Sequence, residues 1–332
     1  MLSTVPVFPP WRSVLSDSLA LRSRRRASLV GGTALVALAG CAGVGPVSSP
    51  VRPSAVTPAV TSQPSGGGAT PSATSGATSA VVPRPVHTVV VVMENHSYAD
   101  IIGNSAAPFI SQLARSGALF TRSYAVTHPS EPNYLALFSG STQAVPDDSC
   151  PHTFTAPNLA ADLIAAGMSF AGYSEDLPAA GSPVCTQGNY ARKHVPWTDF
   201  SNVPGSVSKP FTSWPAGDST QLPTVSYVIP NLCNDMHDCS VATGDAWLRA
   251  HIGGYANWAM SHDSLLIITW DEDDGSTDNQ IPTIFAGQLV SPGQYSQSIT
   301  HYSVLATIEA AYGLSRDGQA ASARPISNVW TR

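Results

Sequence analysis

Val89–His96 reads VVVVMENH: four valines and a methionine, then an acid, an amide and a histidine. An unbroken apolar run of this kind marks a strand buried on both faces of a parallel sheet. It stops abruptly at Glu94, so a carboxylate directly follows buried backbone and requires a partner. Leu265–Trp270 (LLIITW) repeats the pattern and ends in Asp271-Glu272-Asp273-Asp274-Gly275. Val225–Ile229 (VSYVI) is a third short strand, followed after Pro230 by NLCNDMHD, residues 231–238.

Between and beyond these strands the period changes. Pro108–Gly117, Leu159–Ala166, Gly244–Met260 and His301–Tyr312 are predicted helices; Ala118–Tyr124, Ser169–Tyr173 and Thr283–Phe285 are predicted strands. Ser174–Leu222 is rich in Pro, Gly and Trp and is predicted to form long loops capping a site. Strands alternating with helices give an α/β sandwich with a mainly parallel sheet.

Ligands in such sheets lie beyond the carboxyl ends of the strands. Glu94-Asn95, Asp235-Met236-His237 and Asp271-Glu272 are therefore predicted to share one rim. Crowded carboxylates repel unless a cation holds them. Glu94, Asn95, Asp271 and Glu272 suit Mg²⁺, Ca²⁺ or Mn²⁺, and Asp235, His237 and His301 would admit Zn²⁺ or Fe. A solvated acidic turn or a calcium loop is the alternative for Trp270–Gly275.

Thr127–Gly140 (THPSEPNYLALFSG) brings a hydroxyl to the same rim. Pro is favoured in the first helical turn and Ser at the cap, so Ser130 is predicted at a helix N-terminus, as cap or as nucleophile. Backbone N–H groups there favour an anion such as phosphate. A metal beside this serine points to phosphoryl transfer. Asn133 would donate to a phosphoryl oxygen, Arg192 and Lys193 would supply positive charge, and His128 would orient Ser130 or join the phosphate site. His194 or His237 would protonate the leaving group.

Composition narrows the rest. The chain has 332 residues, 43% hydrophobic and 11% charged, enough for a sizeable core. Five of its sixteen Lys+Arg precede residue 41, leaving eleven basic and 21 acidic residues after it, a formal −10. That balance excludes a basic nucleic-acid footprint. Arg22–Arg26 (RSRRR) and the short apolar segment after it make residues 1–40 a predicted export signal, with its arginines resembling a twin-arginine type. Leu38-Ala39-Gly40-Cys41 resembles the bacterial lipobox, with Cys41 lipid-modified; a cleaved signal with an incidental cysteine is the alternative. Residues 41–84 are a predicted disordered tether, reaching roughly 35–40 Å as a random coil. Residues 85–332 are the predicted catalytic domain. Among the remaining cysteines, Cys150–Cys185 and Cys233–Cys239 are the predicted pairs, since each closes a local loop. A zinc site would call for tight C-x-x-C spacing, which is missing.

VVVMENHSY, THPSEPNYLALFSGS, YARKHVPW, NDMHD followed by GDAWL, and TWDEDDG with a later HYSVLATIE together resemble the phosphoesterase family. That family joins bacterial acid phosphatases with phospholipases C in the alkaline-phosphatase superfamily, and the resemblance runs from about residue 86 to the C-terminus. It implies a three-layer, alkaline-phosphatase-like sandwich. It also implies Ser130 as nucleophile and metal ligand with Glu94, Asn95, Asp271 and Glu272, while Asp235, His237 and His301 match the superfamily's other metal pocket. Superfamily members commonly space that pocket as D-x-x-x-H, whereas this chain has Asp235-x-His237. The histidines are then a second metal's ligands, phosphate binders or proton donors. The expected function is an extracytoplasmic acid phosphatase requiring one or two divalent metal ions and forming a phosphoserine. Its expected partners are a phosphomonoester, a phosphoinositide such as phosphatidylinositol 3-phosphate among the candidates, and a membrane reached through a lipid on Cys41. A monomer is expected. The alternatives are a phospholipase C, whose branch reads Asp-Glu-His where this chain has Asp271-Glu272-Asp273, and a tethered calcium-binding module without catalysis.

Overall fold

The computed structural model describes residues 81–331; the predicted signal, Cys41 and nearly all of the predicted tether lie outside the described residues. Among the described residues no helix is long and apolar enough to cross a membrane.

Eight strands make the central sheet: β1 (Thr88–Met93), β2 (Ala118–Phe120), β3 (Phe170–Ser174), β4 (Ser208–Pro210), β5 (Val225–Ile229), β6 (Leu265–Trp270), β7 (Thr283–Ala286) and β8 (Gly293–Tyr295). Their spatial order is β8-β2-β7-β6-β1-β5-β3-β4. Every neighbouring pair is parallel except those of β7, which runs against both β2 and β6. The helices are α1 (Tyr98–Ile101), α2 (Pro108–Ser116), α3 (Ser130–Ser139), α4 (Leu159–Ala165), α5 (Val241–His251), α6 (Gly253–Ala259) and α7 (His301–Tyr312).

The valine run of β1 shows why an all-apolar strand is needed. Val90 and Val92 pack with Leu135 and Phe138 of α3, Leu163 of α4 and Ile308 of α7. Val89, Val91 and Met93 pack with Ile110 of α2, Leu248 of α5 and Tyr255 of α6. Side chains alternate across a strand, so two cores on opposite faces demand an apolar residue at every position. The result is the expected α/β sandwich of three layers. α3 is buried along its whole length, so its polar residues Ser130, Glu131 and Asn133 must find partners inside the protein.

Two elements depart from the periodicity. The predicted strand Ala118–Tyr124 divides, and Ser123–Tyr124 leaves the sheet to pair with Ile299–Thr300, directly before α7. The predicted helix Gly244–Met260 breaks at Ile252 ahead of Gly253-Gly254, where glycine lowers helix propensity. Its start lies upstream at Val241, because Ser240 caps it by accepting from the Thr243 N–H. Both predicted disulfides, Cys150–Cys185 and Cys233–Cys239, are present.

Candidate active site

β1, β5 and β6 are adjacent and parallel, so their carboxyl ends emerge side by side. The backbone continues the pairing past them: the Glu94 N–H donates to Asp235 O and the Asp271 N–H to Met93 O, both at 2.9 Å. Glu94, Asp235 and Asp271 are thereby held at one rim, each at most 1% exposed. The loop bearing Asp235 is closed by Cys233–Cys239 and lies on α5 so tightly that a Cβ on Gly244 would fall 2.5 Å from Met236 Cγ.

α3 starts over this rim. Pro129, not Ser130, occupies the cap position and offers no side-chain cap bond; Ser130 is the first helical residue. Its hydroxyl is therefore available elsewhere, 2.9 Å from Glu272 Oε1 and 3.2 Å from Glu94 Oε2. The one hydroxyl proton serves two acceptors, so with both carboxylates ionised one of them faces the oxygen without a hydrogen between them. An open depression of about 510 Å³ is lined by Asn95, His128, Pro129, Glu272 and Asp273, among them the residue before Ser130 and the carboxylate that accepts its hydroxyl proton.

The carboxylates are strongly perturbed. Burial, then the charges of Asp271 and Asp235, hold Glu94 well above the usual carboxylate range. Burial and then Glu272 do the same to Asp271, and burial raises Asp235 to about 7. Asp235 Oδ2, Asp271 Oδ2, His194 Nε2 and His301 Nδ1 are buried without a hydrogen-bond partner among the described residues. Glu94, His194 and Asp235 each present a ligand atom, all within 4.8 Å of one another. Carboxylate oxygens, an imidazole nitrogen and orphaned lone pairs fit a divalent cation.

The histidines divide by their surroundings. His194 is buried, with Nε2 3.0 Å from Glu94 Oε1 but off the hydrogen-bonding direction, and Nδ1 3.6 Å from Asp235 Oδ2. Burial and then Lys193 and His237 push its pKa well below the ordinary value, which favours the neutral imidazole with a free lone pair over the proton donor expected from sequence. His237 is held at Nδ1 by Asp238 Oδ1 at 2.7 Å, its side chain 28% exposed. His301 opens α7; its Nε2–H donates to Asp271 O at 2.6 Å, and burial lowers its pKa to about 4. His128 contacts Glu272 Oε2 through Nδ1 and donates from Nε2 to Ser276 O at 3.1 Å. Burial opposes its charge, but the Ser276 carbonyl and Glu272 outweigh burial and raise its pKa. With both ring nitrogens engaged, His128 orients Glu272, which in turn holds Ser130, and has no nitrogen left for phosphate.

Two further expectations are corrected. Asn133 Oδ1 accepts from the N–H groups of Val126 and Thr127, and its Nδ2 donates to Thr127 O and Pro129 O. Its amide is saturated by the turn before Ser130, so no hydrogen remains for a phosphoryl oxygen. Arg192 is likewise spent on Asp199, Thr198 and Pro183. Its neighbour Lys193 differs: Nζ donates to Asp148 Oδ2 at 2.7 Å while Glu94 and Asp271 act on it across the rim. Asp148 and Tyr134, whose hydroxyl donates to Glu94 Oε1, were missed by sequence reasoning. The first could have been found from Cys150–Cys185, which draws its loop toward residues 192–194; the second from its place one helical turn after Ser130.

The sequence profile described as the Phosphoesterase family matches residues 104–315. The chain belongs to that family. This phosphoesterase is 54% identical over 257 residues to a phosphatidylinositol-3-phosphatase of Mycobacterium tuberculosis, covering 77% of this chain and 86% of that one. It is 32% identical over 249 residues to an acid phosphatase of Aspergillus fumigatus, covering 69% of this chain and 55% of that longer protein. Its fold is shared with an alkaline phosphatase superfamily protein from Vibrio parahaemolyticus (TM-score 0.52, 13% identity, 74% of this chain and 72% of that one). It is also shared with the lipoteichoic acid synthase LtaP of Listeria monocytogenes (TM-score 0.52, 10% identity, 76% and 78%).

Proposed function

We propose that this phosphoesterase is an exported, divalent-metal-dependent acid phosphatase that cleaves phosphomonoesters through a phosphoserine at Ser130. One observation carries the reading: a serine hydroxyl at a helix N-terminus stands within hydrogen-bond distance of two of four clustered buried carboxylates. The names of the relatives support monoester hydrolysis, and the 54% identical relative supports phosphatidylinositol 3-phosphate as a substrate. Lipid attachment at Cys41 and the tether after it belong to the same proposal.

Glu94, Asn95, Asp271 and Glu272 would hold the cation with Ser130; Asp235 and His194 approach Glu94 at the same rim, and His301 braces the Asp271 backbone. A cation bound there neutralises phosphoryl oxygens and favours the serine alkoxide. Glu272, 2.9 Å from Ser130 Oγ, takes the hydroxyl proton. Ser130 Oγ then forms a bond to phosphorus as the bond to the leaving oxygen breaks, and Lys193 draws the phosphoryl group in. His237 gives the departing alcohol a proton from Nε2 and then takes one from the water that attacks the phosphoserine; as the bond from phosphorus to Ser130 Oγ breaks, Glu272 returns its proton to that oxygen. Asp238 fixes the His237 ring at Nδ1.

The test uses purified protein and p-nitrophenyl phosphate. Chelation should abolish turnover, and re-adding one divalent cation should restore it. Ser130→Ala should lower kcat by about 10⁴-fold or more with an unchanged circular dichroism spectrum. A Ser130→Ala protein that retains activity would remove Ser130 as nucleophile.

A further inference from the structure

The hydroxyl of Tyr134 has a role that packing does not require. The ring belongs to the core on the α3 face of the sheet. The phenol donates to Glu94 Oε1, while Glu94 Oε2 lies 3.2 Å from Ser130 Oγ. The Tyr134 ring also stacks on the His194 imidazole, with centroids 5.0 Å apart and planes at 14°. Tyr134 stands four residues after Ser130, so both side chains lie on one face of α3, one turn apart. The helix that delivers the hydroxyl thus also delivers a brace for the carboxylate facing it.

A glutamate's terminal torsion is broad and roughly two-fold, so its two oxygens exchange unless something distinguishes them. Among the described residues, Ser130 and Tyr134 are the only side-chain hydroxyls donating to Glu94, one to each oxygen. We infer that Tyr134 is a positioning residue: its hydroxyl sets the Glu94 carboxylate so that Oε2 faces Ser130 and the cation, and its ring sets the plane of His194. This inference rests on the divalent-cation reading above. Donors that orient a metal's ligands are worth about 10–100-fold in metal affinity or activity.

Tyr227 supplies the control. It is also a fully buried phenol in the same core, and its hydroxyl donates to Leu137 O of α3 at 3.2 Å, away from Glu94. Tyr134→Phe and Tyr227→Phe each delete one buried hydroxyl and keep the ring. Mg²⁺, Mn²⁺, Ca²⁺ and Zn²⁺ are titrated separately into chelator-stripped protein by calorimetry, alongside kcat and KM for p-nitrophenyl phosphate. Tyr134→Phe should weaken the best-bound cation by about 10–100-fold and lower kcat more than it changes KM, whereas Tyr227→Phe should hold cation affinity within about twofold. Equal behaviour of the two variants overturns the role of Tyr134 alone. Wild-type protein that binds none of the four cations overturns that role together with the cation reading.

Discussion

The central sheet buries carboxylates at both of its ends, and among the described residues one end also brings an imidazole within reach of them. At the carboxyl end, Glu94, Asp235 and Asp271 follow three neighbouring strands and meet a hydroxyl and an imidazole. At the other end, Glu309 in the last turns of α7 approaches Asp317, whose N–H donates to Glu309 Oε1 at 3.0 Å. There the C-cap of α3 is Gly140 at φ +67, and a Cβ on it would come 2.1 Å from Asp317 O. Glu309 Oε2 and Asp317 Oδ2 are also without a hydrogen-bond partner among the described residues, and burial foremost raises these acids to about 8 and about 7. Buried acids alone therefore do not suit a metal; mixed lone-pair donors converging from adjacent strand ends do.

The largest expected effect separates the two ends directly. Glu94→Gln or Asp271→Asn should lower kcat/KM for p-nitrophenyl phosphate by roughly 10²–10³-fold, and Glu309→Gln should leave it within about twofold. Cation-induced stabilisation in thermal melts should vanish in the first two and persist in the third. An equal loss of activity in Glu309→Gln would break the distinction.

A smaller effect sharpens the rim itself, where neighbouring cations have opposite fates. Lys193→Met should raise KM about tenfold, the worth of one charge-assisted hydrogen bond. Arg192→Lys should leave KM alone and cost about 1–3 kcal/mol of stability in urea melts, because lysine cannot reproduce the guanidinium fork.

The smallest effect concerns pH at the far end. A carboxyl whose folded pKa is raised destabilises the fold once it ionises. For Glu309 that cost is absent below its ordinary value of 4.5, grows as pH rises, and is complete above about 8. Glu309→Gln keeps an acceptor for the Asp317 N–H, so it should raise the unfolding temperature at pH 8.5 by roughly 2–4 °C and do nothing through charge near pH 4. A difference that grew toward acid would contradict the burial of this carboxyl.

Much of the fold could be read from residue order because burial on two faces leaves a strand no freedom of composition. Val225–Ile229 and Leu265–Trp270 match the predicted spans, and the acids after them mark the rim. What was hidden is which polar groups at the rim are already satisfied. Asn133 and Tyr134 are neighbours on α3 and both are buried, yet the turn at residues 126–129 consumes the amide while Glu94 takes the phenol. His194 lies in a segment without periodicity, so nothing local showed that it would meet Glu94 and Asp235.

By itself, the order of residues determined the alternating strands and helices and the acids at the carboxyl ends of the strands, since these follow from period. The structure chose both disulfides from three possible pairings and put Pro129 rather than Ser130 at the cap of α3. Only the tertiary structure decided that Tyr134 and Lys193 face the rim while Asn133 and Arg192 brace loops. A hydrogen bond is made once by each donor, and who takes it depends on neighbours brought from far along the chain.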